Sequence, residues 1–176
     1  MLIATGLQDK IPPLENIEQF YGKSVFHCPY CDGWEVRDKK IAVYARNKNG
    51  FELTMSLKTW GPAISLLLDG KNYLKPIEKN RLEKRGIKIY TNRIKMLDGQ
   101  NGQLKKIVFA TGEALPCDAM FFVNGFTQQC DIAQALGCKM SKKGVVLTNR
   151  QQQTNISGLY VAGDVAKDMH FVVVAG

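Results

Sequence analysis

The chain has 176 residues, and 45% of them are hydrophobic, which is enough for a hydrophobic core. Its length corresponds to one domain with some residues left over. No apolar run approaches the length that crosses a bilayer, so we expect no membrane span. The first residues carry neither the basic region nor the long apolar region of a secretory leader. We therefore expect a cytoplasmic protein whose thiols are reduced, apart from a pair that works in redox chemistry.

The formal net charge is +8, and the basic excess is densest between Lys71 and Lys106. A basic surface can attract an acidic protein partner, although a solvated lysine-rich face is the simpler interpretation. No motif interleaves aromatic and basic residues in the manner of nucleic-acid-binding proteins, so we expect no nucleic-acid partner.

The first part of the chain predicts short elements separated by turn signals. Residues 2–6, Leu-Ile-Ala-Thr-Gly, predict a buried strand that runs into a glycine turn. Pro12 and Pro13 interrupt the chain, and residues 15–20 predict a short helix. Residues 24–27 are predicted to be extended and to lead into a pair of closely spaced cysteines.

The two cysteines, Cys28 and Cys31, are separated by a proline and a tyrosine and followed directly by Asp32. When this spacing opens a helix, both sulfurs lie at the same end and are close enough to form a small disulfide ring. The positive end of the helix favours a thiolate at the first cysteine, and a thiolate is the species that attacks a disulfide. Asp32 is placed to accept or deliver the proton that the exchange requires.

Two other interpretations of the pair stay open from the residues alone. A zinc site needs four ligands, and the other cysteines form no second pair at this spacing. A pair of buried, inert thiols is the other alternative, because free cysteine is commonly buried. The redox interpretation is favoured, and no metal site is expected. Packing in the core is expected for the remaining cysteines, which are Cys117, Cys130 and Cys138.

A βαβ unit follows the cysteine helix. Residues 40–44 predict a strand, residues 51–60 a helix, and residues 63–68 a second strand that is apolar throughout. A continuous apolar run is typical of a parallel strand that is covered on both faces.

The second half of the chain continues the alternation of helices and strands. The predicted segments are a helix at 77–85, a strand at 87–90, a meander of 93–97 and 104–110 joined by a turn at 98–102, a strand at 119–123, a helix at 131–136 and a last strand at 158–164. A further helix is predicted from Val165 onward. We expect an α/β protein with a Rossmann-like parallel sheet, flanking helices and a small antiparallel meander.

Three motifs, in this order, resemble the low-molecular-weight thioredoxin reductase family of flavin disulfide reductases. Residues 4–6 are similar to the strand end that leaves the family's flavin domain. The segment from Cys28 to Asp32 lies where the family keeps its active pair, and its Cys-Pro-Tyr-Cys form is most similar to a branch of thioredoxin reductase-like oxidoreductases. Residues 158–166, Gly-Leu-Tyr-Val-Ala-Gly-Asp-Val-Ala, resemble the return into the flavin domain. The fold implied is FAD/NAD(P)-binding, with the sheet, meander and helices in a three-layer ββα arrangement.

The resemblance also implies roles for individual residues. Cys31 would be the sulfur that meets the flavin, Cys28 the outer sulfur that attacks the partner disulfide, and Asp32 the proton donor or acceptor. Asp164 would bond the ribityl chain of FAD. The remaining residues implied to lie at this cofactor or at a cofactor-facing turn are Ala4, Thr5, Gly6, Gly125, Gly163, Val165 and Ala166. Electrons would run from NADPH through FAD to the pair and on to a thioredoxin-like protein or a small disulfide.

The nucleotide-binding loop departs from the family's pattern. A Rossmann turn needs a first glycine for the tight turn and a second where the backbone approaches the pyrophosphate. Ala45 and Asn47 occupy those positions, and Gly50 fits the third. The segment 69–71 lacks the paired arginines that hold the 2′-phosphate of NADPH. Two outcomes are open: the loop still takes NADPH, or the electrons come from an acidic donor such as ferredoxin, as in some relatives.

The family opens with a flavin-binding half that this sequence does not contain. We expect residues 1–23 to be a segment of the flavin domain with a linker, residues 24–150 the nicotinamide-type domain, and residues 151–176 the return to the flavin domain. The chain alone is then expected to bind FAD weakly or not at all. The expected function is a disulfide oxidoreductase by descent. The alternative is a truncated, inactive nicotinamide-type domain or a protein-binding remnant. Family members are commonly homodimers, which leaves a homodimer open.

Overall fold

The computed structural model describes residues 1–167. Within them the chain forms two compact units: Ile11–Asn124 makes one, and Met1–Lys10 with the chain from Gly125 onward makes the other. These borders differ from the sequence-based ones at 23 and 150. The assignment of the units to nicotinamide and flavin domains stays a prediction.

The strands of the described part are β1 (Leu2–Ile3), β2 (Leu7–Asp9), β3 (Val25–Phe26), β4 (Ile41–Ala45), β5 (Ile64–Leu67), β6 (Lys88–Tyr90), β7 (Ile94–Gln100), β8 (Gln103–Phe109), β9 (Ala114–Pro116), β10 (Ala119–Val123), β11 (Phe126–Gln128) and β12 (Tyr160–Val161). The α-helices are α1 (Ile17–Phe20), α2 (Pro29–Asp32), α3 (Asn49–Leu57), α4 (Pro76–Glu83) and α5 (Ile132–Ala135). A 3-10 helix covers Gly163–Ala166.

The Ile11–Asn124 unit is built on a five-stranded sheet in the order β3-β10-β4-β5-β6, and all of its neighbouring pairs are parallel. Successive side chains of a strand point to opposite faces, and both faces of this sheet are covered. On one face Ala42 and Tyr44 pack with Leu97 of the meander. On the other face Val43 packs with Leu57 of α3. The predicted α/β fold with meander, parallel sheet and helices in three layers is confirmed.

The meander consists of β7, β8 and β9, which pair antiparallel. Its turn is tighter than predicted: Asn101 and Gly102 have φ values of 54° and 78°, so both adopt the left-handed conformation that two-residue hairpins need. The Ser24 hydroxyl donates to the Gly102 carbonyl at 2.7 Å and accepts the Leu104 N–H at 3.0 Å. These bonds fix the turn against the start of β3.

The other unit contains two short strand pairs. β1 and β12 pair in parallel, and β2 and β11 pair antiparallel. The predicted first strand exists, but it is not wholly buried: Ile3 is 4% exposed, whereas Leu2 is 62% exposed. The helix that was predicted from Val165 is a 3-10 turn as far as Ala166, and its continuation lies outside the described residues. Within residues 1–167, no helix has both the length and the apolar character that a membrane span requires.

Candidate active site

The predicted cysteine pair lies at the start of α2. Cys28 is the residue that precedes the helix, Pro29 occupies its first turn, and Cys31 is its third residue. Proline is well tolerated there because the first helical N–H has no intrahelical partner. The two cysteines are joined by a disulfide, with their Cα atoms 5.4 Å apart. The expectation that both sulfurs meet at one end of a helix is confirmed, and the cysteines are not two buried free thiols.

The sulfur of Cys28 accepts a hydrogen bond from the backbone N–H of Cys31 at 3.2 Å. A hydrogen bond to the charged form of a group stabilises that form, so this N–H favours a thiolate at Cys28 once the disulfide is reduced. The pair is accessible, since Cys28 is half-buried and Cys31 is exposed. The geometry therefore suits nucleophilic exchange at Cys28.

Asp32 follows Cys31 directly and is half-buried. Burial raises the pKa of its carboxyl above the ordinary value; the nearby His27 opposes the rise and Glu35 adds to it. His27 itself shares a 3.2 Å hydrogen bond between its Nδ1 and the hydroxyl of Tyr21. A carboxyl group with a raised pKa holds and releases a proton closer to neutral pH than an exposed one. Asp32 thus has the properties of a proton carrier for the neighbouring thiols.

Gly33 holds α2 close to the end of α3. A Cβ atom at this position would collide with the carbonyl oxygen of Pro29 in the same turn and would lie 2.7 Å from Nε1 of Trp60, which is closer than side-chain carbons approach their neighbours. Gly33 has an ordinary helical φ of −65°, so its need for glycine comes from these two close contacts and not from backbone conformation. No local pattern in the sequence indicates the contact with Trp60, because Trp60 is distant along the chain.

Two aromatic side chains beside the disulfide are exposed: Tyr30 by 64% and Trp34 by 61%. The guanidinium of Arg37 lies 3.9 Å above the ring of Trp34, and the same side chain donates to the Trp34 carbonyl at 2.9 Å. These contacts hold the indole in position. The result is an ordered aromatic surface at the rim of the cysteine pair.

The predicted flavin-binding residues of the other unit are brought together by strand pairing. Leu2 pairs with Tyr160 and Ile3 with Val161, so the segments that follow β1 and β12 leave the pair at the same edge. The carbonyl of Ile3 accepts the N–H of Ala162 at 3.0 Å, which extends this pairing. The two groups of predicted residues at this edge are Ala4, Thr5 and Gly6 after β1, and Gly163, Asp164, Val165 and Ala166 after β12.

Asp164 fits the predicted bond to a ribityl chain. Its Oδ1 atom is buried and has no hydrogen-bond partner within the described part of the chain. Such an atom is costly unless a ligand or water completes it, and a ribityl hydroxyl is a suitable donor. Gly163 precedes it with a φ of 77°, and no atom of residues 1–167 lies within 4 Å of its missing Cβ, so in this part of the chain the backbone leaves room for a ligand.

Other predicted cofactor residues have structural roles. The side chain of Val165 is fully buried in the core of its unit, and its carbonyl accepts the N–H of Val146 at 2.8 Å. Gly125 adopts a φ of 82°, and its carbonyl accepts the N–H of Lys10 at 2.9 Å, so it serves the turn before β11.

The nucleotide-type loop runs from the end of β4 to the start of α3. Ala45 is the last residue of β4 and is fully buried. Asn47 makes two side-chain hydrogen bonds: its Nδ2 donates to the carbonyl of Val123 at 3.2 Å, and its Oδ1 accepts the N–H of Asn49 at 2.9 Å. Gly50 lies in α3 where a Cβ would collide with the Cβ of Ala45.

Asp69 lies two residues after β5, in the segment 69–71, and its carboxylate was not among the predicted site residues. Its two carboxylate oxygens accept the hydroxyl of Tyr44 at 3.2 Å and the N–H of Ile94 at 2.9 Å. Burial first, and the charge of Asp69 second, raise the pKa of Tyr44 to about 12. The signal that was available is spacing, because Rossmann folds place an acidic ribose-binding residue about 20 residues after the glycine loop.

The remaining cysteines are unpaired. Cys117 and Cys138 are buried, as predicted for packing residues, and Cys130 is half-exposed. Burial raises the pKa of the Cys117 thiol to about 12, and its sulfur donates to the Ala119 carbonyl at 2.9 Å. Among residues 1–167, no group of three or more His, Cys, Asp or Glu side chains is arranged to hold a metal ion.

The parallel sheet, its meander and the disulfide at the start of α2 together define an oxidoreductase fold of the dithiol–disulfide type. Residues 1–176 match the Pyridine nucleotide-disulphide oxidoreductase family, and the chain belongs to this family. Within it the chain is thioredoxin reductase-like: it is 28% identical to the thioredoxin reductase of Buchnera aphidicola over 183 residues, which cover 94% of this chain and 57% of that protein.

Solved structures agree with this assignment. A candidate thioredoxin reductase from Bacillus anthracis is 28% identical, with a TM-score of 0.90 over 99% of this chain and 58% of that one. An oxidoreductase from Agrobacterium tumefaciens is 27% identical, with a TM-score of 0.87 over 99% of this chain and 58% of that one. The chain therefore spans a little more than half the length of these relatives.

Proposed function

We propose that this chain carries the dithiol–disulfide centre of a thioredoxin reductase-like flavin oxidoreductase and passes electrons to a partner disulfide. One observation carries the proposal: Cys28 and Cys31 form a disulfide at the accessible start of a helix, next to an aspartate whose pKa is raised. The family's description names a pyridine nucleotide and a disulphide, and the flavin is inferred from the resemblance to thioredoxin reductases.

The exchange runs in two balanced steps once the pair is reduced. The Cys28 thiolate attacks the partner disulfide, so that a bond forms between its sulfur and one partner sulfur while the other leaves as a thiolate. The Cys31 thiol then loses its proton to Asp32 and attacks the sulfur of Cys28. This attack restores the Cys28–Cys31 disulfide and releases the second partner thiolate. The partner gains two electrons, and the chain loses them.

The electron pair that returns the disulfide to the dithiol would be supplied by a bound flavin in its reduced form, FADH2, which an electron donor would have to regenerate. Asp164 would hold its ribityl chain, since its buried Oδ1 needs a donor, and Gly163 leaves the neighbouring backbone accessible. Ala4, Thr5 and Gly6 leave β1 beside them. No step is assigned to a pyridine nucleotide, because the side chain of Asn47 already bonds the Val123 carbonyl and the Asn49 N–H in the nucleotide-type loop.

The partner we propose is a thioredoxin-like protein or a small disulfide, which would contact Tyr30 and Trp34. Both side chains are exposed beside the pair, and aromatic residues of this kind commonly anchor partners. The thioredoxin reductase name of the Buchnera relative supports the protein partner. The formal charge of +8 suits an acidic electron donor of the ferredoxin type.

A second candidate is an inactive nicotinamide-type domain or protein-binding remnant. The observation that favours it is the loop after β4, where Asn47 bonds Val123 and Asn49 in place of a ligand. The two candidates differ in whether the cysteine pair exchanges with a disulfide.

A trapping experiment tests the exchange directly. The reduced Cys31→Ser variant is mixed with a thioredoxin that keeps a single active-site cysteine, activated as its mixed disulfide with thionitrobenzoate, so that the leaving thiolate diffuses away; the products are separated without reductant and identified by mass. We expect a stable mixed disulfide through Cys28, because Cys31 is no longer present to resolve it. The Cys28→Ser variant should trap far less, since it lacks the thiolate that the Cys31 N–H stabilises.

Cys130→Ser is the matched control, because Cys130 is a half-exposed cysteine outside the pair. It should reduce the partner at the rate of the unaltered chain. Equal trapping by the Cys28→Ser and Cys31→Ser variants, or adducts that form on Cys130, would contradict the proposal and favour the inactive domain.

A further inference from the structure

The sheet order marks the place where a nucleotide would bind in the Ile11–Asn124 unit. From β4 the chain passes through α3 to β5 on one side, whereas β10 lies beside β4 on the other side. Open α/β sheets bind ligands in the crevice at the carboxyl ends of two such strands. Here β4 and β10 end together, with Ala45 paired to Val123. The crevice is therefore located by topology, independently of any glycine motif.

Asn47 bridges this crevice with its own side chain. The amide nitrogen donates to the carbonyl of Val123 at the end of β10, at 3.2 Å. The amide oxygen accepts the N–H of Asn49 at 2.9 Å, and the backbone carbonyl of Asn47 accepts the N–H of Gly50 at 3.1 Å. These are N–H groups at the start of α3, and such groups are the ones that bind a pyrophosphate in this fold. Both are already satisfied within the chain.

The one retained glycine is explained without a ligand. A Cβ at Gly50 would collide with the Cβ of Ala45, which is fully buried at the end of β4, and would lie 3.6 Å from Cδ1 of Leu66. Gly50 therefore allows α3 to approach the sheet. This close packing accounts for glycine at the third position of the motif, so its presence is not a sign of nucleotide binding.

The carboxylate of Asp69, which follows β5, also has hydrogen-bond partners within the chain. Asp69 accepts the hydroxyl of Tyr44 and the N–H of Ile94, and its side chain is 13% exposed, with Arg46 at 3.8 Å. In a dinucleotide-binding fold an acidic residue near this position bonds the ribose hydroxyls. Here both of its oxygens have partners in the chain itself.

We propose that the dinucleotide crevice of this unit is closed by Asn47, so that neither NADH nor NADPH binds at the loop between β4 and α3. The amide oxygen of Asn47 accepts the N–H of Asn49 at the helix start, and its amide nitrogen donates to the Val123 carbonyl at the strand end. A bound nucleotide and its water shell would otherwise supply these two partners. This inference concerns a different site from the cysteine pair and does not depend on the exchange chemistry proposed above.

The experiment is a calorimetric titration of the full chain with NADH and, separately, with NADPH. The unaltered chain should give no saturable binding up to millimolar nucleotide. Asn47→Gly and Asn47→Ala each remove the amide and should bind NADH saturably, with a dissociation constant at least about tenfold below the highest concentration at which the unaltered chain shows no binding, as about 1.4 kcal/mol corresponds to each factor of ten. Two variants are used so that a folding defect of either one does not decide the result.

Asn149→Gly is the matched control, because the Asn149 side chain accepts the N–H of Gln151 at 2.9 Å in a similar local turn outside the Ile11–Asn124 unit. It should leave nucleotide binding as weak as in the unaltered chain, and the melting temperature of each variant reports that it is folded. Micromolar binding of either nucleotide by the unaltered chain would overturn the proposal. Folded Asn47 variants that gain no affinity would overturn it as well.

Discussion

Asp32, the aspartate that follows the cysteine pair, also makes the stability of the fold depend on pH. Its pKa is raised chiefly by burial, so the folded chain favours the protonated carboxyl more than the unfolded chain does. The stability that comes from this preference is fully present below the unfolded pKa, about 3.9. It is lost as the pH rises through the raised folded value. At neutral pH the ionised carboxylate therefore weakens the fold.

We predict that Asp32→Asn raises the melting temperature at pH 7 and that the gain disappears near pH 3. The amide has a similar shape but never carries the charge whose burial is unfavourable. Thermal unfolding followed by circular dichroism at both pH values measures the difference.

Asp38→Asn makes the same chemical change at an exposed aspartate nearby, and it should leave the difference between the two pH values unaltered. A melting temperature of Asp32→Asn that falls at pH 7 would show that the carboxylate stabilises the fold instead.

At the scale of secondary-structure elements, the position of the disulfide depends on how α2 lies against α3. The helix is a single turn, too short to be stable by itself, and Gly33 allows it to approach the indole of Trp60. The cysteine pair is therefore held by a tertiary contact as well as by its local sequence.

We predict that Gly33→Ala destabilises the chain by about 1–3 kcal/mol, the usual cost of forcing an extra methyl group into a packed site. The added Cβ must distort α2 at the Pro29 carbonyl and displace Trp60. Urea denaturation of the oxidised protein, followed by tryptophan fluorescence, measures both the midpoint of unfolding and the environment of the two indoles, Trp34 and Trp60.

Gly61→Ala is a matched control at a buried glycine, because its added Cβ would lie at ordinary contact distances, 3.5 Å and more. It should change stability by less than Gly33→Ala. Equal effects of the two variants would mean that the contact with Trp60 does not position α2.

At the scale of the whole molecule, one compact unit is formed by a continuous segment of the chain and the other by two separate segments. Ile11–Asn124 is continuous in sequence and contains the five-stranded sheet, the meander and the disulfide. The other unit combines Met1–Lys10 with the chain from Gly125 onward. Continuity and a complete core are the properties of a domain that folds alone.

We predict that a fragment of residues 11–124 folds cooperatively and forms the Cys28–Cys31 disulfide. Both hydrophobic clusters that flank its sheet are composed of residues inside this range. A single urea transition, with mass spectrometry of the alkylated protein to assign the disulfide, measures the result. A fragment without a cooperative transition would show that the sheet needs the other unit.

Local patterns in the sequence were sufficient for many elements of this fold. Cys28 and Cys31 open a helix because proline and the cysteine spacing favour that start, and β4 and β5 are recognisable as continuous apolar runs. Other elements had no such signal. The strand pair β2 and β11 was not predicted, nor was β9, because each strand has three residues and no apolar alternation.

The sequence by itself determined the cysteine pair at a helix start, the βαβ unit, the meander and each motif that carries the family resemblance, because each depends on residues that are near neighbours along the chain. Only the tertiary structure decided that Asn47 reaches Val123, 76 residues away, and that β10 lies between β3 and β4. It also decided that the buried Oδ1 of Asp164 is left without a partner in the described chain. Such contacts arise from the packing of distant segments, whose energies depend on geometry that no local pattern records.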